Sequence, residues 1–453
     1  MLVKFRDSLT HKTKRSHNLF LTTSQEPRVP NDSIRWGRII AVASAGIVSH
    51  SFGRATLPLL LPAISDELGI GSTAAGIIGS TNMASYFLGV IIVTYLAGRM
   101  HPIRLLRLGM GIVIGGLVIL GTASSQAQLI TGTALTGLGG AGIWLTAPLI
   151  ATTNVPVHRR GAAMGTLTAC MGIASITIPI ITTITRNVIG DQGAWRPVWI
   201  IETLIAVLLF VAIAAVVRVD GVHNQLSNST GIYAVRNLRK WRTAVIFYMS
   251  FAFIAATYYQ FFGLALEKDH GFSRSFTTLT ASILGIGSVI GALTFGRLSD
   301  RLGRPVTMSI TMLLTSLSCI AIPIGSEKIT VIAIALYGAA SFSIPALVAT
   351  FVRDQVSDQQ FTAVFGAMTI FYGPASILGP LAGGYLGDKT GTYSSTYLLL
   401  GAICFAAAVI VCWLPKLSSE QHEISLRNSP QNKILNLLNE LEENFSKFNK
   451  SKT

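Results

Sequence analysis

Three ionisable side chains stand inside long apolar segments of this chain, where charge is costly and therefore informative. Arg54 is the one base embedded well inside such a segment, and Glu202 is the one acid that falls clearly inside another. His50 precedes Arg54 by four residues, so the two share a face if the segment is helical. A guanidinium binds carboxylate or phosphate with its planar fork, whereas a buried His or Glu can carry a proton. The three residues predict an anion-binding site with two candidates for proton coupling, His50 and Glu202.

Each of these residues also has a structural interpretation. Arg54 would pair with Glu202 or extend to the lipid headgroups, and His50 would be a hydrogen-bonded packing residue. Other polar-tipped side chains in apolar segments either line the same cavity or bond to a neighbouring helix. The predicted substrate-binding residues are His50, Arg54, Trp144, Tyr258 and Gln260.

The apolar segments that carry these residues are long and numerous. Half of the residues are hydrophobic and 12% are charged, against about 25% charged residues in soluble domains. A segment of about 20 apolar residues crosses a bilayer, and without alternation it does so as a helix. The sequence therefore predicts an all-α integral membrane protein with twelve helices, at about 37–63, 72–98, 105–123, 127–152, 161–184, 197–217, 243–266, 275–296, 305–325, 329–352, 363–386 and 394–415.

The distribution of basic residues orients these helices and explains the net charge of +15 without nucleic acid. The two tails and the even-numbered connections hold 28 of the 35 Lys and Arg, and the opposite connections hold six. Basic residues concentrate on the cytoplasmic side of membrane proteins. We therefore expect both termini in the cytoplasm and the chain in a plasma membrane, the inner one in a bacterium. No secretory signal is expected in the basic N-terminal segment, which is a cytoplasmic tail or a transit peptide.

The chain repeats itself at a spacing near 201 residues. Gly165–Ser175 matches Gly366–Ser376 in its Gly, Ala and Ser positions, and Pro179 falls opposite Pro380. Two six-helix units related by a repeat, with substrate between them, are a common build among transporters. We predict two pseudo-symmetric six-helix bundles between soluble segments: an N-terminal tail 1–36, bundles 37–217 and 243–415, a linker 218–242 and a C-terminal tail 416–453. The tail has one apolar helical face, which lies on a protein or lipid surface or forms a short coiled coil.

A ten-residue motif at Gly296–Pro305 carries a family resemblance. Its pattern, Gly-x-Leu-x-Asp-Arg-x-Gly-Arg-Pro, resembles the signature loop of the major facilitator superfamily, and we expect it as a tight loop between two helices. The resemblance implies a latch in which Asp300 contacts the start of the helix at 363 and Arg353. Solvated arginines that only fix orientation are the alternative. The predicted gating residues are Asp300, Arg301, Arg304 and Arg353.

Other family patterns are absent or displaced. The first-half copy of the motif has Gly98 in place of the acid, so a symmetric latch is not expected. The glycine-rich fourth helix lacks the arginine of many proton-driven members. The Gly-Pro bend that drug/proton antiporters carry in the fifth helix stands in the eleventh, at Gly373-Pro374 and Gly379-Pro380. These departures disfavour a proton-antiporting drug pump.

These observations predict a transporter that moves a small organic solute, preferably an anion, by alternating access. The alternatives are an exporter of hydrophobic compounds and a non-transporting membrane sensor. No phosphate-cradling loop and no metal-ligand spacing occur in the sequence, so we expect no enzyme activity, no cofactor and no metal. The expected partners are the solute and the lipid bilayer, with no nucleic acid, and the expected state is a monomer. The four cysteines all fall in predicted helices and are expected to pack there.

Overall fold

The computed structural model describes residues 36–97, 99–152, 155, 160–190, 193–217, 232–356 and 358–415. Within these ranges the chain is helical. The first span, α1, begins at Trp36–Gly46, continues as a π-helix at Ile47–Ala55 and ends as an α-helix at Thr56–Leu68. The next five helices are α2 Ser72–Ala97, α3 Pro102–Gly121, α4 Gln126–Thr152, α5 Arg160–Ile189 and α6 Trp195–Val216.

The second half repeats this plan. Helix α7 spans Trp241–Leu264 and ends in a π-helical turn at Ala265–Asp269, and α10 consists of Glu327–Ser341 followed by Ile344–Arg353. The remaining helices are α8 Arg274–Leu302, α9 Arg304–Ala321, α11 Asp358–Thr390 and α12 Ser394–Val411. In the described ranges, ten of these segments are long and apolar enough to cross a membrane; the other two are α1, which is divided, and α5, whose apolar part is Ser175–Ile189. The predicted all-α membrane fold is confirmed.

Equivalent helices of the two halves pack in the same way. Helix α2 packs on α4 as α8 packs on α10, and α3 packs on α6 as α9 packs on α12. Between the halves, α2 contacts α11 and α5 contacts α8, which are again equivalent pairs. The sequence repeat therefore corresponds to two bundles that face each other along α2, α5, α8 and α11.

Glycine at helix crossings lets the backbones come close within each bundle, as is common in membranes. A Cβ at Gly139 of α4 would lie 2.4 Å from the carbonyl oxygen of Gly109 in α3. A Cβ at Gly338 of α10 would lie 2.4 Å from the carbonyl oxygen of Leu284 in α8. Part of the glycine run in α4 is thus explained by packing against α3.

The motif at Gly296–Pro305 is mostly helix, which corrects the predicted loop. Helix α8 continues to Leu302, Gly303 is the single break with φ +87°, and α9 starts at Arg304. That φ disfavours side chains with a Cβ, so glycine is required at the turn. Gly296 is different, because a Cβ there would meet nothing within 4 Å. Close helix packing therefore does not require glycine at this position.

Only part of the predicted linker lies within the described residues. Residues 218–231 and both tails, 1–35 and 416–453, lie outside the described residues. The second part of the linker forms a 3-10 helix at Ile232–Asn237, and Ala234, Val235 and Leu238 are buried. Its contacts are with the second bundle, since the Arg239 backbone N–H donates to Gln355 Oε1 at 3.0 Å and Lys240 Nζ donates to the Trp413 carbonyl. This part belongs structurally to the second bundle.

Candidate functional site between the bundles

Arg54 sits at the end of the π-helical turn of α1, where the backbone geometry is unusual. The N–H of Thr56 donates to the carbonyl of Ser51, five residues earlier. The carbonyl of Gly53 accepts from Asn82 Nδ2 and from Thr136 Oγ1, both at 3.1 Å. Isolated π-helical turns occur frequently at functional sites. Side chains from α2 and α4 therefore hold the turn that presents Arg54.

The Arg54 side chain is partly exposed and faces both bundles. Its guanidinium lies within electrostatic range of the phenol groups of Tyr86 in α2 and Tyr259 in α7. Across the part of the chain that the structure describes, no hydrogen bond or ion pair engages this guanidinium. The side chain of His50 lies outside the described residues, so its predicted roles in binding and coupling remain predictions. Arg54 is thus a cation in the middle of the protein, available to an anionic ligand.

Glu202 does not neutralise Arg54, so the predicted structural pair is wrong. Its side chain is 0% exposed between α6 and α1, and Oε1 accepts a hydrogen bond from Thr56 Oγ1 at 2.6 Å. The other carboxyl oxygen, Oε2, has no hydrogen-bond partner among the described residues. Thr56 is two residues after Arg54, and successive helical residues point in different directions. The acid and the base therefore occupy opposite sides of one helix.

A buried arginine, Arg186, was missed because the predicted end of α5, residue 184, was too early. Arg186 is 6% exposed and donates to the Arg274 carbonyl at 2.9 Å and to Thr278 Oγ1 at 2.6 Å, joining α5 to α8. It also donates to the Leu59 carbonyl of α1 at 3.4 Å. Arg186 is thereby committed to protein oxygens, which distinguishes it from Arg54.

Two of the predicted substrate contacts, Tyr258 and Gln260, are engaged with other helices in this conformation. Tyr258 is fully buried in the second bundle, where its ring stacks on Tyr337 with centroids 3.4 Å apart and meets Tyr397 edge-on. Gln260 is 5% exposed and donates to the Ala75 carbonyl of α2 at 2.8 Å, so it bridges the bundles. The residue between them, Tyr259, faces the central space. Sequence alone did not separate three adjacent polar side chains, because it did not fix the rotation of α7.

Trp144, the remaining predicted contact, is 38% exposed on α4. Its role in binding remains a prediction.

An apolar pocket adjoins Arg54 where the bundles meet. It is lined from the first bundle by α1 and α5 and from the second by α7 and α8, and its walls include Ala55, Pro58, Ile178, Tyr259, Phe262 and Leu284. Ala55 follows Arg54 directly, and Tyr259 is shared with the surroundings of Arg54. No sequence signal indicates this pocket, because its walls are ordinary apolar residues from four helices that are distant in sequence.

Charged residues join the two bundles at the end of the protein that carries Asp66 and Asp388. We call this end the gate end. Asp66 at the end of α1 pairs with Lys268 and, at 2.8 Å, with Arg274, and both bases belong to the second bundle. Asp388 at the end of α11 accepts from the backbone N–H groups of Ser72 and Thr73, at 2.9 and 2.8 Å. A carboxylate at a helix N-terminus is favourable, so Asp388 caps α2 of the opposite bundle.

The two ends of the protein differ in how the bundles meet. Hydrogen bonds join the two bundles at the gate end and near mid-helix, the deepest in α2 being Ser80 Oγ to the Ile377 carbonyl at 2.7 Å. The opposite end carries Gly303, and we call it the motif end. A Cβ at Gly366 of α11, at this end, would meet nothing within 4 Å. The conformation is closed at the gate end.

The contacts of the motif centre on Arg304 rather than on Asp300. Arg304 pairs with Asp300 at 2.5 Å and, through Nε, with Asp354 at 3.0 Å at the end of α10. Asp354 follows Arg353, the residue that the resemblance indicated, and a contact of Asp300 with the start of α11 remains a prediction. Arg301 is exposed and makes no hydrogen bond or ion pair with any residue that the structure describes. In this conformation the motif links α8, α9 and α10 of the second bundle.

We predict that Arg304→Gln weakens the link between these helices and slows the conformational cycle. The substitution removes the cation that Asp300 and Asp354 share, so two carboxylates lose their partner. We expect a several-fold fall in transport rate and a melting temperature a few degrees lower, corresponding to about 1 kcal/mol. Arg301→Gln removes an equal charge from the same motif and is the control. Equal effects of the two substitutions would contradict the assignment to Arg304.

Comparison with known proteins agrees with this geometry. The model of the Major Facilitator Superfamily matches residues 43–277 and 244–447 in two overlapping parts. The chain belongs to the Major Facilitator Superfamily. Its members are transporters, so the central space between the bundles is the candidate substrate site of this superfamily protein.

Curated relatives are distant. The uncharacterized MFS-type transporter YcaD of Salmonella newport is 22% identical over 343 residues, covering 76% of this chain and 87% of the relative. The MFS-type transporter ucsD of Acremonium sp is 27% identical over 256 residues, covering 52% of this chain and 42% of the relative. Monocarboxylate transporter 12-B of Danio rerio is 26% identical over 148 residues, covering 32% and 31%. The chain thus spans less than half the length of the last two relatives.

Among solved structures, the superfamily fold recurs in a bacterial homologue of the human lysosomal transporter Spinster, in an inward-facing and unoccupied conformation. The TM-score is 0.66 with 15% sequence identity, over 84% of this chain and 95% of that chain. At this identity the likeness establishes the fold.

Proposed function

We propose that this transporter moves a small organic anion by alternating access, with Arg54 binding the charged group. The observation that carries the proposal is the partly exposed guanidinium between the bundles, which lacks a described partner. Uncompensated charge within a membrane protein is costly unless it faces a cavity or a partner. The phenol groups of Tyr86 and Tyr259, within electrostatic range of Arg54, are candidate hydrogen-bond donors to a bound carboxylate or phosphate. The resemblance of part of the chain to a monocarboxylate transporter supports the same substrate class.

The orientation follows from the charges of the connections. With basic residues on the cytoplasmic side, the motif end faces the cytoplasm and the gate end faces outward. The conformation closed at the gate end is then the inward-facing one. Both termini lie in the cytoplasm, and the membrane is the plasma membrane, the inner one in a bacterium.

The anion class is tested by ligand-induced stabilisation of the purified full chain. Organic carboxylates and phosphates, organic cations and neutral solutes are compared at equal concentration by thermal unfolding in detergent. Binding to the native state stabilises by about 2.7 kcal/mol at a ligand concentration 100 times Kd. We expect anions to raise the melting temperature while cations and neutral solutes do not. Stabilisation by cations or neutral solutes alone would refute the proposal.

Glu202 is the candidate for proton coupling. Its carboxyl is fully buried, with Thr56 as hydrogen-bond donor and no cation among its described contacts. A charged carboxylate without a charged partner is costly in such a site, so Glu202 suits a group that takes up and releases a proton as its surroundings change. Since Thr56 belongs to the helix that carries Arg54, movement of α1 would change the surroundings of both.

We predict that Glu202→Gln separates proton coupling from transport. An amide resembles the protonated acid in shape but cannot release a proton. In proteoliposomes we expect uptake driven by a pH gradient to fall at least tenfold, because coupling is lost, while exchange of labelled against unlabelled substrate continues. The control is Glu327→Gln, which alters an exposed acid at the start of α10. Unchanged gradient-driven uptake would exclude Glu202 as the coupling residue.

A further inference from the structure

The apolar pocket beside Arg54 has a chemistry that a purely polar anion would not need. Eight of its ten lining residues carry no polar side-chain atom, the exceptions being Ser175 and Tyr259. Phosphate or another small polar anion would leave hydrogen-bond acceptors unsatisfied against such walls, which is costly. The pocket therefore suits a part of the ligand that carries no charge.

The pocket and Arg54 are neighbours on α1. Ala55 is next to Arg54 in sequence, and Pro58 lies one helical turn further along α1. Tyr259 lines the pocket while its phenol lies within electrostatic range of Arg54. A ligand with its charged end at Arg54 would direct its other end into the pocket, toward the gate end.

Helix contacts at the gate end limit the length of the ligand's uncharged part. A Cβ at Gly263 of α7 would lie 2.5 Å from the Pro58 carbonyl oxygen, so α1 and α7 touch beside the pocket. Arg186 bonds the Leu59 carbonyl on the same side. These contacts narrow the space on the gate side of the pocket, so it suits a short apolar group.

We propose that the substrate is an amphipathic carboxylate, with its carboxylate on Arg54 and a short aliphatic or aromatic group in this pocket. The proposal rests on the anion site of the proposed function. Because α1 and α5 line the pocket from one bundle and α7 and α8 from the other, the apolar group contacts both bundles at once. Its burial therefore favours the conformation closed at the gate end, since only that conformation assembles the walls.

The test compares acetate, butanoate, hexanoate and phenylacetate, with phenylacetamide as the uncharged match, by binding to the purified full chain. We expect affinity to rise about fourfold for each methylene buried, until the pocket is full. Phenylacetamide should bind at least 100-fold more weakly than phenylacetate. Equal affinity for the amide and the acid would overturn the proposal in favour of a carrier of neutral hydrophobic compounds.

Two pairs of variants locate the effect. Ala281 of α8 also lines the pocket, so Ala281→Leu should fill it and remove the gain from longer chains. Ala292→Leu, at an exposed position of the same helix, is the control. Phe262→Ala enlarges the pocket and should shift the preference toward longer chains, whereas Phe405→Ala, at a residue 58% exposed, should not.

The failures of the two proposals are distinguishable. If acetate and hexanoate bind equally well and both depend on Arg54, the apolar subsite is wrong and the anion site stands. If affinity increases with chain length in Ala281→Leu and Phe262→Ala just as in the wild type, the apolar subsite lies elsewhere. If no carboxylate binds, or if Arg54→Ala binds carboxylates normally, the anion site itself is wrong, and the subsite proposal falls with it.

Discussion

Arg54→Ala is expected to abolish binding and transport of organic anions while the protein remains folded. A carboxylate that enters the central space would lose the charge-assisted hydrogen bonds that Arg54 donates. Removing one member of a desolvated charge pair costs about 3 kcal/mol, or roughly 150-fold in affinity. Arg54→Lys keeps the charge but loses the planar fork, so we expect an intermediate loss of about tenfold. Isothermal binding and flux into proteoliposomes measure both effects.

The state of the unliganded variant separates a binding role from a structural one. Because no described residue pairs with the Arg54 guanidinium, its removal leaves no protein group without a partner. The melting temperature without ligand should therefore stay within a few degrees of the wild type. Arg297→Ala, which removes an exposed arginine from α8, is the control for net charge. A collapse of stability, or transport that persists in Arg54→Ala, would contradict the assigned role.

Gly76→Ala is expected to hold the gate end open. A Cβ at Gly76 of α2 would lie 2.4 Å from the Pro380 carbonyl oxygen of α11, a distance that real contacts do not reach. Since backbone cannot move aside as a flexible side chain can, the bundles must separate at this end. Overpacking costs about 1–3 kcal/mol, which corresponds to a roughly 5- to 150-fold shift in the population of the closed conformation. Transport should fall, because the cycle requires both conformations.

The shift is measurable as exposure of the pocket. A cysteine at position 59, in a variant without the four native cysteines, should be protected from a membrane-impermeant thiol reagent added outside cells, because Leu59 is 3% exposed. Gly76→Ala should accelerate its labelling, and Gly263→Ala should do the same through the Pro58 carbonyl. Gly111→Ala adds a Cβ that meets nothing within 4 Å and is the control. Equal labelling of the Gly76 and Gly111 variants would show that this contact does not set the equilibrium.

The sequence predicted the features of the fold that depend on long apolar segments or on the internal repeat. Twelve helices followed from segment length and apolar composition, since backbone groups in lipid must bond within their own segment. The sequence does not determine details that depend on the rotation of a helix or on where it ends. Tyr258 and Gln260 were chosen for chemistry, whereas the rotation of α7 turns Tyr259 to the centre. Arg186 was placed in a connection because the polar end of α5 resembles a loop.

By itself, the sequence determined the all-α membrane architecture, the repeat of two bundles and the superfamily resemblance at Gly296–Pro305. Those properties arise from local composition and spacing, which each segment carries alone. Only the tertiary structure decided that Glu202 faces away from Arg54, that Arg304 rather than Asp300 links α8, α9 and α10, and that an apolar pocket adjoins the cation. These properties depend on which faces of distant helices meet, and that is set by packing across the whole protein.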